Sequence, residues 1–348
     1  MTVTYQAGRR IQGTSTDFGT AGAGIPAVSG GWKELGRSTG TLPDISSIPD
    51  KRYYMLLNNG RSWTSGSNSS FRFNSDTGTN YTFRDSRNGA ADYTEVNSAR
   101  TLDYIGTGSE NEIFGVTYIS NLAAKEKLLV SSSVVQKTAG AGTAPSRDEV
   151  VSKWSNTSAA INRITATSTA GAASEYVILG WDPTDTHTTN FWEELASVDL
   201  SGGAATNIDS GTITAKKYLW IQYYTEQSAD SDFLITFNAD TGSNYARRYD
   251  NDGGTETTGT SLANFTQVSR TANLPQFTNM FIVNNSANEK LIIAHTVYQM
   301  TAGAGTATAR WEAVGKWANT SAQITAMNIK SGSGNLASKT VLKIWGSD

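Results

Sequence analysis

The chain has 348 residues, a formal net charge of −3 and 17% charged residues, while Ser and Thr together number 83. Near-neutral charge removes the general electrostatic drive toward nucleic acid, and the absence of cysteine excludes disulfides, thiolate metal sites and cysteine nucleophiles. Aromatic residues make up 10% of the chain, far more than a disordered polymer carries, so a buried core is expected.

Residues 1–31 are rich in Gly, Thr and Ser and hold too few large apolar side chains for a core of their own. They read either as a disordered tail or as an extended N-terminal arm that orders on a neighbouring subunit, and the arm is the expectation taken. Tyr5, Ile11 and Phe18 are its candidate apolar anchors, and Arg9 and Arg10 its polar partners. The first residues lack the apolar stretch of a secretory signal, so synthesis in a host cytoplasm is expected. The longest apolar runs stay far below the ~18 residues of a membrane helix, so no membrane is expected.

Next, residues 32–182 show short aromatic and aliphatic runs at 53–57, 71–73, 114–119, 127–135 and 176–181, separated by Gly, Ser and Asn turns. Such runs predict β-strands. Residues 147–154 could pass for a helix, but the matching stretch 309–317 alternates Trp311, Ala313 and Gly315, which predicts a strand in both places. A Pro/Thr/Asp connector at 183–190 leads to residues 191–348, where the same series recurs. Phe-Asn-Ser-Asp-Thr-Gly-Thr-Asn-Tyr at 73–81 returns as Phe-Asn-Ala-Asp-Thr-Gly-Ser-Asn-Tyr at 237–245. Thr-Ala-Gly-Ala-Gly at 138–142 returns at 301–305, and Lys-Trp-Ser-Asn-Thr-Ser-Ala-Ala-Ile at 153–161 returns with changes at 316–324. A period this long marks a duplicated domain. The expected fold is all-β: two tandem jelly-roll β-sandwiches, each of about eight strands in two four-stranded sheets.

Taken together, Ile48-Pro-Asp50, the Phe-Asn-x-Asp-x-Gly-x-Asn-Tyr run, the Trp-x-Asn-Thr-Ser-x-x-Ile run and a terminal aliphatic–aromatic–Gly strand resemble a family of jelly-roll structural proteins of tailed phages and related viruses. Its members are tail, fibre or head-decoration components. The likeness covers nearly all of 32–348, twice, although residues 214–217, Thr-Ala-Lys-Lys, replace the Ile-Pro-Asp element in the second copy. It implies a virion structural protein that contacts further copies of itself and other virion proteins, and it carries no catalytic residue set. The competing expectations are a carbohydrate-binding adhesin or receptor-binding module, and a double jelly-roll major capsid protein.

Candidate sites are few. Asn74, Asp76 and Asn80, with Asn238, Asp240 and Asn244, place oxygens at short spacing beside a Gly and could ligate Ca²⁺. The same pattern is a strand-ending Asx turn. Trp154 and Trp317 read either as core or as ligand and subunit contacts, because an aromatic face can stack on sugar. Trp63, in a Gly/Ser loop, is the better exposed candidate for ligand or subunit contact. His187 sits in the connector and His295 mid-strand, neither beside a Ser in a nucleophile elbow. The Gly-rich loops lack the Lys-Ser/Thr of a phosphate loop. No enzyme and no cofactor beyond calcium are therefore expected.

Overall fold

The computed structural model describes residues 31–62, 68–104, 112–183, 190–268 and 272–348. Unit 1 contains β1 (Lys33–Thr39), β2 (Asp44–Ile45), β3 (Tyr53–Arg61), β4 (Ser69–Phe73), β5 (Tyr81–Arg87), β6 (Tyr93–Ser98), β7 (Thr101–Tyr104), β8 (Glu112–Ser120), β9 (Lys127–Val135), β10 (Ser146–Trp154), β11 (Ile164–Ala166) and β12 (Glu175–Trp181). Unit 2 repeats the series as β13 (Glu193–Asp199), β14 (Asn207–Asp209), β15 (Tyr218–Thr225), β16 (Phe233–Phe237), β17 (Tyr245–Asn251), β18 (Thr257–Leu262), β19 (Phe265–Gln267), β20 (Gln276–Val283), β21 (Lys290–Tyr298), β22 (Ala309–Trp317), β23 (Met327–Ser331) and β24 (Val341–Ser347).

Each unit is a rolled-up antiparallel hairpin. In unit 1, β1 pairs with β12, β2 with β11, β3 with β8 and β4 with β7. Successive pairs go alternately to a large and a small sheet, ordered β1-β12-β3-β8-β9-β10-β5-β6 and β2-β11-β4-β7. That winding is the jelly roll, and unit 2 has the same order, β13-β24-β15-β20-β21-β22-β17-β18 over β14-β23-β16-β19. The expected eight strands in two equal sheets are corrected to twelve, eight over four. β5, β6, β9 and β10 all join the large sheet and widen it. β2 and β11 are too short to show alternation in sequence, and β6 is mostly exposed. The 147–154 stretch is strand, as read.

Between the sheets of unit 1, Phe71, Phe73, Tyr81, Trp154 and Ile178 form one core. Their counterparts in unit 2, including Phe237, Tyr245 and Trp317, form another. A third cluster lies between the units. Along β3, Tyr54 and Leu56 enter the unit 1 core, whereas Met55 and Leu57 point the other way and meet unit 2. The strands of each large sheet are therefore apolar on both faces, the signature of a sheet covered twice. The result is four layers, with the small sheets outside and the large sheets facing each other.

Candidate interaction surface

The repeated motifs build a corner lock. In both units the Asn and its neighbour adopt left-handed backbone, with φ of 51° and 58° at Asn74 and Ser75 and of 50° and 56° at Asn238 and Ala239. Asp76 Oδ1 accepts from the Gly78 N–H at 2.8 Å, and its Oδ2 accepts from Asn80 Nδ2 at 2.9 Å and Trp154 Nε1 at 2.7 Å. Asp240 repeats this with Gly242, Asn244 and Trp317 at 2.8, 2.9 and 2.7 Å. Asn74 Oδ1 accepts from the Asn162 N–H at 2.8 Å, and Asn238 Oδ1 from the Thr325 N–H at 2.8 Å. In the structure the oxygens of Asn74, Asp76, Asn238 and Asp240 accept from the fold's own donors, the bonding of the strand-ending turn. Burial raises the Asp76 and Asp240 pKa values, but the donated hydrogen bonds outweigh it and hold both below the usual range.

Trp154 and Trp317 are fully buried, stacked on Tyr81 and Tyr245 at centroid distances of 6.2 and 6.4 Å. They are core, and the ligand or subunit role considered for them is corrected. Trp63, His187 and the arm residues Tyr5, Arg9, Arg10, Ile11 and Phe18 lie outside the described residues. The Asn, Asp and Trp of the two repeated turn motifs are thus spent on holding the sandwich. What distinguishes the units is how their large sheets are covered.

Where the large sheets meet, Met55, Leu57, Phe114 and Val134 of unit 1 are buried against Tyr218, Phe281, Leu291 and Ile293 of unit 2. Charged groups ring this seam. Arg147, only 7% exposed at its side chain, donates to Glu256 at 2.9 Å and Glu312 at 3.0 Å across it, and to Glu149 at 2.9 Å. Glu175 accepts from Arg37 at 2.7 Å and from Lys217 and Tyr218 of unit 2. Burial raises the Glu175 pKa, but the Lys217 hydrogen bond and charge outweigh it and keep the carboxylate ionised. Lys316 Nζ donates to the Gln136 carbonyl at 3.2 Å and to that of Thr138, and stands 3.7 Å from Glu289. The Gly140 N–H, in a loop whose Gly140 φ is 85°, donates to Glu289. The Thr-Ala-Gly-Ala-Gly loop of unit 1 is thereby docked on unit 2. His295 Nε2 lies 3.8 Å from Glu149, beside a groove of about 360 Å³ at the seam edge.

The same faces continue beyond the seam, where among the described residues Leu128, Val130, Phe277 and Val297 are exposed. In unit 1, Trp32, Tyr53, Tyr118, Leu128, Val130 and Trp181 line an open cleft of about 380 Å³, in which Ser120 is the one non-aromatic polar residue. Trp181 stacks on Tyr53 at 5.5 Å. In unit 2, Tyr224, Phe277, Val297 and Met300 line a second cleft of about 290 Å³. Sequence reading missed these residues. The available signal was Lys-Leu-Leu-Val at 127–130, where consecutive apolar residues place Leu128 and Leu129 on opposite faces.

No family model and no curated protein matches this chain. Among solved structures, mouse laminin alpha1 chain, domains LG4-5, is 10% identical, with 93% of this chain and 92% of that one covered and a TM-score of 0.21. A variant of OccD1 (OprD) is 11% identical over 90% of this chain and 97% of that one, with a TM-score of 0.12. Similarity at that level carries no argument.

Proposed function

We propose that this protein is a structural component of a virus particle, working through contacts between protein subunits. The observation that carries the assembly role is the exposed apolar end of each large sheet. Large contiguous apolar patches on a folded chain mark interaction sites, and these extend a face that already buries protein in the seam. The virion setting is supported by the motif resemblance described above.

The aromatic cleft of unit 1 also bears on the adhesin reading. Sugar recognition needs convergent polar groups beside the stacking ring, and this cleft is nearly all apolar, which favours protein over glycan. Copy number in purified particles, from quantitative stained gels, tests the proposal. Many copies per particle support it. Absence from particles, together with specific glycan-array binding lost on Tyr118→Ala, would replace it with the adhesin.

A further inference from the structure

The duplication makes each position on one large sheet comparable with a position on the other. Lys127 faces Trp154 across β9 and β10 as Lys290 faces Trp317 across β21 and β22. On that register Leu128, Val130 and Val134 match Leu291, Ile293 and Val297. The seam uses these twins unequally. Val134 is buried in it, whereas Val297 is 45% exposed. Leu291 and Ile293 are buried in it, whereas Leu128 and Val130 are 58% and 57% exposed. One end of the unit 1 face therefore meets the opposite end of the unit 2 face, and each unit keeps the end that the other has used. Such a contact is heterologous, and a heterologous contact leaves both of its surfaces available for repetition.

We infer that the chain associates head to tail with further copies of itself. The free end of the unit 2 large sheet in one molecule covers the free end of the unit 1 large sheet in the next, repeating the internal seam between chains. The inference rests on the assembly role proposed above and names the partner.

The polar fittings of the seam have twins at the free ends. Arg147 reaches Glu256 across the seam. Their twins Arg310 and Asp92 have side chains 55% and 45% exposed. Arg61 donates to Asn288 across the seam, and the twins are Glu226 and Lys125, a pair of opposite charge. Asn59 and Asn285 bond each other at 3.1 and 3.3 Å, and the twins are Tyr224 and Leu122, an apolar pair. Both sides have changed together, so the free ends still match. The Glu175–Tyr218 bond is not carried over, since the twins are Val341 and an unchanged Tyr53. Finally, Lys316 and Glu289, capped by the 138–142 loop, have twins Lys153 and Glu126 that pair at 3.0 Å on the surface. The second Thr-Ala-Gly-Ala-Gly loop, 301–305, is exposed. Between chains, that loop would cap Lys153 as its twin caps Lys316. Repetition of the contact closes a ring or extends a filament, according to its rotation.

The test uses Val130→Asp and Val297→Asp in the full chain, followed by sedimentation velocity over a concentration series. Both positions are exposed in the single molecule, so an unchanged circular dichroism spectrum and thermal midpoint are expected. Wild type should associate progressively, and each variant alone should associate more weakly by on the order of a hundredfold, because its charge would be buried without a partner. Mixing the two variants should restore one contact and stop at a 1:1 dimer, since each retains the end that the other lacks. A monomeric wild type, association that survives both substitutions, or a mixture that fails to pair would overturn the inference. Loss of association on deleting residues 1–24 would also overturn it, by assigning the contact to the arm. If such a protein is still present in particles at high copy, the structural role stands and only the head-to-tail contact fails.

Discussion

Lys316 and Lys153 occupy the same place in the two units, so the duplication supplies an internal control for the cost of the seam. Lys316 is fully buried at its side chain and Glu289 is 3% exposed, with 3.7 Å between them. Lys153 and Glu126 are each 42% exposed at 3.0 Å. Burial pulls the Lys316 pKa down, and the charge and hydrogen bond of Glu289 only partly offset that. Replacing Lys316 by Met leaves Glu289 charged, buried and short of a cation, along with two carbonyls that lose their donor. Breaking a buried pair from one side costs about 3–5 kcal/mol, whereas an exposed pair is worth about 0–1 kcal/mol. At about 2–4 °C per kcal/mol, Lys316→Met should lower the melting midpoint by roughly 6–20 °C and Lys153→Met by less than about 4 °C. The comparison is made by calorimetry and urea unfolding on dilute, monomeric protein. Adding Glu289→Gln to Lys316→Met should recover part of the loss, because the orphaned charge is then removed. Equal shifts for the two lysines would refute the argument, since the seam would then not be excluding water from Lys316.

Asp76→Ala and Asp240→Ala should each cost about 1.5–3 kcal/mol, the value of a hydrogen bond to a charged acceptor, and should red-shift the emission of Trp154 or Trp317. Because the pKa of both carboxylates is lowered in the fold, this contribution is present above the unfolded value near 4 and is lost as pH falls through the folded one; indifference of both variants to pH in that range would count against it. Asp103 is buried beside Asn58, whose Nδ2 donates to it at 2.6 Å, and burial pushes its pKa up to about 6. A raised carboxylate favours the fold below its unfolded value and loses that contribution as pH rises through about 6, so wild type should be penalised at pH 7 by about 2 kcal/mol relative to pH 4 from this group. Asp103→Asn should flatten that slope in urea midpoints taken from pH 4 to 7, and an unchanged slope would show that the group is not the source.

The sequence by itself determined the duplication, the strand character of the long repeats and the all-β sandwich, because period-two alternation and turn chemistry are local properties. It also brought Asp76 and Trp154 to notice, yet left open whether Trp154 faces solvent. That depended on Asp76 reaching its indole from the turn between β4 and β5, and the same held for Asp240, in the turn between β16 and β17, and Trp317. The short strands β2, β7 and β11 were invisible for a related reason: each is held by its sheet partners more than by its own pattern. What only the tertiary structure decided is which apolar face is covered. Leu128 and Leu291 follow equivalent lysines in equivalent strands, yet Leu128 is 58% exposed and Leu291 is 1% exposed. Alternation tells a strand how many of its faces are apolar. Only the placement of a second sheet against one end of that face decides which leucine is removed from water.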